Sequence, residues 1–204
     1  QVVNVATPGE GYWMKNSIAQ TYNTGGEWPA GGIQIVAHNP IAGASGWNVI
    51  GGYEIVATAA LVTTNPPGQQ SGPIYKYAGG YAVATQIVPG YGYWINLNSA
   101  GQIIIPETIA KGTEQVDYFP DDWGKIILTD ATGINYTLYA VKGEADLSQY
   151  ELPPAPMAGM FDIRFGSGRI AEDADNIQSI EMRGTEYPIN ITVENMMISM
   201  NDES

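Results

Sequence analysis

The sequence predicts an all-β fold made of tandem antiparallel β-modules, with an immunoglobulin-like β-sandwich as its C-terminal part. The first observation is an internal repeat, because the segment Pro-Gly-Glu-Gly-Tyr-Trp at Pro8 returns as Pro-Gly-Tyr-Gly-Tyr-Trp at Pro89. The second is that short alternating or β-branched stretches are separated throughout by Gly, Pro and Asn turn signals. The third is that no segment sustains the i, i+3, i+4, i+7 apolar spacing of an amphipathic helix. A turn-divided repeat favours a tandem β-module over one enzyme domain.

Composition narrows the class of protein. The 204 residues include no cysteine, so neither disulfides nor thiolate metal sites stabilise the fold. Residues 1–104 carry a net charge of −1 and the remainder −12, which gives −13 for the chain. Nucleic-acid binding requires a basic surface, so this charge argues against nucleic acid as a partner. No run approaches the roughly 20 apolar residues of a membrane helix, so we predict no membrane span.

We predict that the chain begins with two β-repeat units. Residues 1–45 are expected to be the C-terminal half of one unit, because Gln1 falls in the middle of the repeat. On this view the chain is a piece of a longer polypeptide. Residues 46–107 are expected to form a complete unit that packs with the first. Its predicted strands are Trp47–Ile50, Tyr53–Ala57, Ile74–Tyr77, Tyr81–Ile87, Tyr93–Leu97 and Gln102–Ile105.

Residues 108–204 are predicted to form the acidic immunoglobulin-like β-sandwich. Ile189–Glu194 alternates apolar and polar residues, which is the period of a strand with one buried face. Short strands spaced by Gly, Pro and Asp turns over about 95 residues fit a sandwich of this size. The other predicted strands are Lys125–Thr129, Tyr136–Val141, Phe161–Phe165, Ser179–Met182 and Met197–Met200.

Three segments resemble a known group of proteins. They are the stretch from Gly46 to Glu54, the Pro89–Trp94 turn and the stretch from Tyr150 to Phe165. Together they resemble the β-rich stalk region that precedes the C-terminal sorting domain of large secreted bacterial surface proteins of the type IX secretion kind. The resemblance implies an extracellular or cell-surface location and a β-rich architecture. It implies no catalytic residues.

The sequence offers little for catalysis, and we expect no enzymatic activity. His38 is the single histidine, and residues 1–104 contain no Asp that could orient it in a Ser-His-Asp triad. We therefore predict that His38 is a surface or turn histidine. Among the acidic loops of the second half, no spacing picks out the carboxylate pair of a glycoside hydrolase.

The candidate metal site is the acidic loop that contains Glu172, Asp173 and Asp175. Alternate oxygen side chains in a loop can converge on Ca²⁺, which takes six to eight oxygen ligands. The loop lacks the glycine and the distal glutamate of an EF-hand, and the alternative is a plain acidic turn. Apart from this structural Ca²⁺, no cofactor is expected.

Aromatic residues give an alternative function as a carbohydrate-binding module. Trp13, Trp47, Trp94 and Trp123 recur at similar offsets, which favours a role as core anchors. Trp28 lies in a loop, and Tyr91 replaces Glu10 of the other repeat copy, so these two rings are the candidates for stacking on a surface glycan.

The expected function is that of a non-catalytic extracellular structural or adhesive β-module of a bacterial surface protein. Its partners would be copies of itself or adjacent modules of the same polypeptide. The strand formed by Val2, Val3, Asn4 and Val5 has no obvious partner in its own unit, so we predict it to be a self-association edge. Strand addition at such an edge propagates into a fibre when the rotation does not close.

Overall fold

The prediction of an all-β fold is confirmed. A computed structural model describes Tyr12, Ile18 and residues 37–107, 116–176 and 178–196. These residues contain fifteen short strands, and their only helices are two single 3₁₀ turns, at Ala59–Leu61 and Leu147–Tyr150. The strands are β1 (Ile41–Gly43), β2 (Gly46–Gly51), β3 (Ala57–Thr58), β4 (Thr63–Asn65), β5 (Gln70–Tyr77), β6 (Tyr81–Val83), β7 (Gln86–Ile87), β8 (Gly92–Leu97), β9 (Gly101–Ile104), β10 (Gly124–Thr129), β11 (Asn135–Val141), β12 (Asp162–Phe165), β13 (Ala171–Asp173), β14 (Ile180–Arg183) and β15 (Asn190–Glu194).

The chain divides into two compact units, and the first contains residues 1–70 and 84–115. In this unit β9 lies between β1 and β4, β2 pairs with β8, and β3 pairs with β7, all antiparallel. Along β8 the residues Tyr93, Ile95 and Leu97 are buried while Trp94 and Asn96 are half-buried, so the strand turns one face to the core.

The second unit contains residues 71–83 and 116–204. Its largest sheet has the strand order β13-β11-β10-β15, in which β11 and β13 run parallel and the other pairs are antiparallel. A second sheet pairs β12 with β14, and β5 and β6 form a hairpin. All four residues of β12 are buried, so this strand is covered on both faces. The immunoglobulin-like arrangement of these strands stays a prediction.

The second unit includes the β5–β6 hairpin, which the predicted boundaries assign to the repeat unit 46–107. Tyrosines explain why residues 71–83 group with residues 116–204. The Tyr77 hydroxyl donates to the carbonyl of Phe161 at 3.0 Å, and the Tyr81 hydroxyl donates to the carbonyl of Pro154 at 2.8 Å. In return, the Tyr136 hydroxyl donates to the carbonyl of Tyr81 at 2.9 Å.

Two predicted strands differ from the structure. Tyr53–Ala57 is not a strand except for its last residue, which begins β3. Tyr81–Ile87 is two strands, β6 and β7, interrupted at Ala84 and Thr85. The predicted strands Val2–Val5 and Met197–Met200 lie outside the described residues. In the part of the chain that the structure describes, no helix is long and apolar enough to cross a membrane.

Candidate functional site

A cleft of about 280 Å³ in the first unit surrounds the single histidine. Three chain segments line it: the segment before β1, the loop after β2, and the end of β9 with the residues that follow it. The lining residues are His38, Asn39, Pro40, Tyr53, Ile104, Ile105, Pro106 and Glu107. The two prolines and the two isoleucines provide the apolar part of the wall, and the other four residues provide its polar groups.

Both ring nitrogens of His38 face carboxylates. Nε2 lies 3.2 Å from Oε1 of Glu54, and Nδ1 lies 3.0 Å from Oε1 of Glu107. The same Glu107 oxygen accepts the backbone N–H of His38 at 2.6 Å. The His38 side chain is only 15% exposed, so its ring is largely enclosed rather than on the surface, and the residue lies in an irregular segment before β1 rather than in a turn.

Tyr53 completes the cluster. Its ring stacks on the imidazole with 3.9 Å between the centroids and 5° between the planes. Burial, together with the negative charges of Glu107 and Glu54, raises the pKa of the Tyr53 phenol, which keeps the hydroxyl protonated. The phenol therefore adds no further negative charge to the two carboxylates.

This geometry suits a clasp, meaning a cross-link between chain segments, better than it suits a catalytic general base. A neutral imidazole has one N–H, whereas the doubly protonated ring has two and can donate to Glu54 and Glu107 at once. Neither nitrogen points into open space with a lone pair for a substrate proton. The carboxylates lie on opposite sides of the ring, so the cluster fastens three segments together rather than converging on one ion.

The predicted Ca²⁺ loop is not assembled as a metal site. Among the described residues, no group of three or more His, Asp or Glu side chains could hold a metal ion. Glu172 is buried and its carboxylate accepts a hydrogen bond from Arg169 at 3.1 Å. Asp173 closes a local turn, accepting from the Asp175 backbone N–H at 2.9 Å and from the Asn176 side chain at 3.0 Å. Glu172 and Asp173 belong to strand β13, and the turn covers only residues 174–176.

Of the two candidate stacking rings, the structure describes one. Tyr91 is 67% exposed, in the turn that precedes β8. Trp28 lies outside the described residues, so the structure does not show whether the two rings approach each other. Trp47 and Trp94 are half-buried and pack edge to face at 6.4 Å, on the opposite face of the β2–β8 pair from Ile50 and Ile95. Among the predicted core anchors that the structure describes, only Trp123 is buried.

A buried polar group in the second unit was not predicted. Arg164 on β12 donates from Nε and Nη2 to the two carboxylate oxygens of Asp162, at 2.7 and 2.8 Å. Its Nη1 donates to the carbonyl of Pro153 at 3.0 Å, which ties the proline-rich segment to the strand. The only sequence signal was the pair of opposite charges two residues apart in an otherwise apolar strand.

The predicted self-association edge Val2–Val5 lies outside the described residues. Within the described part of the second unit, the main sheet ends on β15 at one side and on β13 at the other. These edges differ in length and in charge.

Fold and site together define an all-β protein in which the His38 cluster links segments of the first unit, and tyrosine hydroxyls and the buried Arg164–Asp162 pair stabilise the second. Comparisons with protein-family models, curated proteins and solved structures gave no match to this chain.

Proposed function

We propose that the chain is a non-catalytic, extracellular structural or adhesive β-module of a bacterial surface protein. The observation that carries the proposal is that polar side chains in the interior of the second unit hold one loop segment in place. Arg164, Tyr77 and Tyr81 all donate to backbone carbonyls of the loop segment between Pro153 and Phe161. Buried and half-buried donors that immobilise a long loop suit a rigid structural scaffold, because a satisfied polar network in the interior rigidifies its surroundings.

The clasp at His38 supports the same proposal. A general base needs a nitrogen within hydrogen-bond reach of a substrate proton, and both nitrogens of this ring already face glutamates. The cell-surface location and the relation to type IX secretion are supported by the sequence resemblance alone. Self-assembly through a sheet edge is part of the proposal, with copies of the chain or adjacent modules as partners.

Sedimentation velocity and electron microscopy of the purified chain test the assembly. Concentration-dependent association or filaments are expected. A chain that stays monomeric at millimolar concentration contradicts self-assembly. Incubation with a glycan panel tests the absence of catalysis: product formation that disappears in Glu54→Gln or Glu107→Gln would show an enzyme.

The second candidate function is glycan binding, which the exposed ring of Tyr91 favours. Exposed aromatic rings offer flat apolar faces on which a sugar ring can stack. Pull-down with insoluble polysaccharides should lose binding in a Trp28→Ala, Tyr91→Ala double variant. Tyr187→Ala is the matched control, because Tyr187 is 74% exposed in the other unit. Binding that survives the double variant eliminates these two rings as the site.

A further inference from the structure

The two edges of the main sheet in the second unit are protected very differently. β13 has three residues, and two of them are the acidic Glu172 and Asp173, of which Glu172 is buried against Arg169. Short strands and inward charges are devices that keep a sheet edge from pairing with another chain. β15 has five residues, Asn-Ile-Thr-Val-Glu, without lysine, proline or an inward charge. Only the β15 edge lacks these devices.

β15 also carries exposed apolar surface. Among the described residues it pairs only with β10, in the register Ile191 with Leu128 and Val193 with Ile126. Leu128 is 1% exposed, whereas Ile191 on the same face is 60% exposed. The sequence pattern predicted a buried face for this strand, and that prediction is wrong at Ile191, because the core does not extend to the edge of the sheet.

The sequence of β15 is complementary to itself in the antiparallel direction. If two copies pair about Thr192, Ile191 of each lies opposite Val193 of the other, and Asn190 lies opposite Glu194. Apolar residues then meet on one face, and each glutamate meets an amide instead of a second glutamate, which matters in a chain of net charge −13. Shifting the centre to Ile191 would place Glu194 opposite Pro188, which has no N–H to donate.

We infer that β15 is a self-association edge, and that a second copy of this chain pairs with it antiparallel and centred on Thr192. The two four-stranded sheets then join into one continuous sheet across a two-fold axis. The inference rests on the proposed function and names the strand that performs the assembly. It is independent of Val2–Val5. Because the copies repel each other electrostatically, added salt strengthens the pairing.

Single cysteines provide the test, since the natural chain has none. In the inferred dimer the two Thr192→Cys residues lie directly opposite, with Cα atoms about 4.5–5.5 Å apart, which is within the Cα separation that a disulfide spans. Asn190→Cys is the matched control on the same strand. Its two sulfurs would lie four residues apart along the strands, about 14 Å, and cannot bond within one dimer.

Under mild oxidation, Thr192→Cys should form a covalent dimer roughly tenfold faster than Asn190→Cys or more, because association raises the effective concentration. Asn190→Cys mixed with Glu194→Cys should cross-link each to the other. Equal rates at Thr192 and Asn190, or no Thr192 dimer from protein with a native circular dichroism spectrum, overturn the inference. If the unmodified chain still associates in sedimentation, only this edge is wrong. If the unmodified chain is monomeric as well, the proposed self-assembly fails with it.

A second variant tests the same edge without oxidation. Ile191→Lys adds a charge to the edge and should abolish the self-association that the natural chain shows in sedimentation. Ile104→Lys is the control, because Ile104 is 37% exposed but lies in β9, between two partner strands. Association that persists in Ile191→Lys, or that is lost equally in both variants, contradicts the assignment.

Discussion

Arg164 and Asp162 form a buried ion pair although they lie only two residues apart on the same strand. Residues i and i+2 of a strand project from the same face, so the guanidinium reaches both carboxylate oxygens, at 2.7 and 2.8 Å. Side-chain exposure is 8% for Arg164 and 3% for Asp162. The pair lies in a buried position among apolar core residues, and the remaining Nη1 donor of Arg164 binds the carbonyl of Pro153.

Removing one member of this pair should be costly. Arg164→Met leaves the Asp162 carboxylate buried without its partner, and the expected loss in the free energy of unfolding is about 3–5 kcal/mol. Arg183→Met is the matched control, because Arg183 and Glu181 have the same spacing on the neighbouring strand β14 but are 55% and 47% exposed. That control should cost less than about 1 kcal/mol. Urea unfolding compares them, and equal losses would show that burial does not govern the pair.

A close approach of the chain at Gly72 should forbid any side chain there. Gly72 has φ +67°, and a Cβ on it would overlap the backbone carbonyl of Gln149. Gly143 has φ +82°, but a Cβ there meets nothing within 4 Å. Gly143→Ala should therefore cost only the left-handed conformation, about 1–2 kcal/mol, whereas Gly72→Ala adds a backbone clash and should cost more. Thermal unfolding of both variants separates the two effects, and similar losses would refute the clash.

Much of the fold was predictable from local patterns. The short apolar and β-branched stretches Lys125–Thr129 and Tyr136–Val141, bounded by turn signals, identified β10 and β11 to within one residue at each end. By contrast, β13 was missed, because Glu172 and Asp173 resemble a loop and the strand forms through a parallel pairing with distant β11. Strand existence follows local periodicity, but a short charged strand is decided by its partner.

The candidate site was less predictable than the fold. His38 finds Glu54 and Glu107 at separations of 16 and 69 residues, so no spacing rule connects them. The same holds for the tyrosines of the β5–β6 hairpin, whose carbonyl partners lie far along the chain. Charge partners and hydroxyl acceptors are set by tertiary packing, which the periodicity of a single segment does not encode.

The two glutamates that hold His38 should not contribute equally. Glu107 lies within hydrogen-bond distance of the ring Nδ1 and also accepts a hydrogen bond from the backbone N–H of His38. Glu54 contacts only Nε2. Glu107→Ala should lower the free energy of unfolding by about 1.5–3 kcal/mol, and Glu54→Ala by less, since hydrogen bonds to charged groups are worth about that much. Chemical denaturation of the two variants gives the order. A larger loss from Glu54→Ala would show that the backbone contact contributes little.

Buried tyrosines should make the protein unstable at high pH. Burial raises the pKa of Tyr75, Tyr81 and Tyr136 well above the ordinary value of about 10. The folded state therefore keeps these protons at a pH where the unfolded state releases them, and stability is lost as the pH rises above about 10.

Phenolate absorbance and far-ultraviolet circular dichroism, recorded along one alkaline titration, check this expectation. The buried phenols of Tyr75, Tyr81 and Tyr136 should ionise only together with unfolding, so part of the phenolate absorbance should appear in the same pH range as the loss of the dichroism signal. Tyr75→Phe should remove part of the absorbance change that coincides with unfolding. Complete ionisation with an unchanged dichroism spectrum would contradict burial of these hydroxyls.

Asp130 should link the β10–β11 turn to stability at low pH. Its Oδ1 accepts hydrogen bonds from the hydroxyl and the backbone N–H of Thr132, at 2.6 and 2.9 Å, and from the N–H of Ile134 at 3.1 Å. The Thr132 hydroxyl foremost, with these and the Glu186 backbone N–H, lowers the pKa of the Asp130 carboxyl. Because the folded-state pKa lies below the unfolded value of about 3.9, the stabilisation is complete above that pH and disappears as the pH falls through the folded-state pKa.

Asp130→Asn should therefore be less stable than the natural chain at neutral pH and should lose less stability on acidification. The amide oxygen still accepts hydrogen bonds, but it carries no charge to strengthen them and takes up no proton. Asp122→Asn is the control, because the exposed Asp122 lies at the start of the same strand region. Urea unfolding at a series of pH values between neutral and about pH 3 measures both curves against the natural chain. If Asp130→Asn runs parallel to the natural protein across that range, the turn carboxylate does not contribute to the acid sensitivity, and its hydrogen bonds are equally strong with a neutral acceptor.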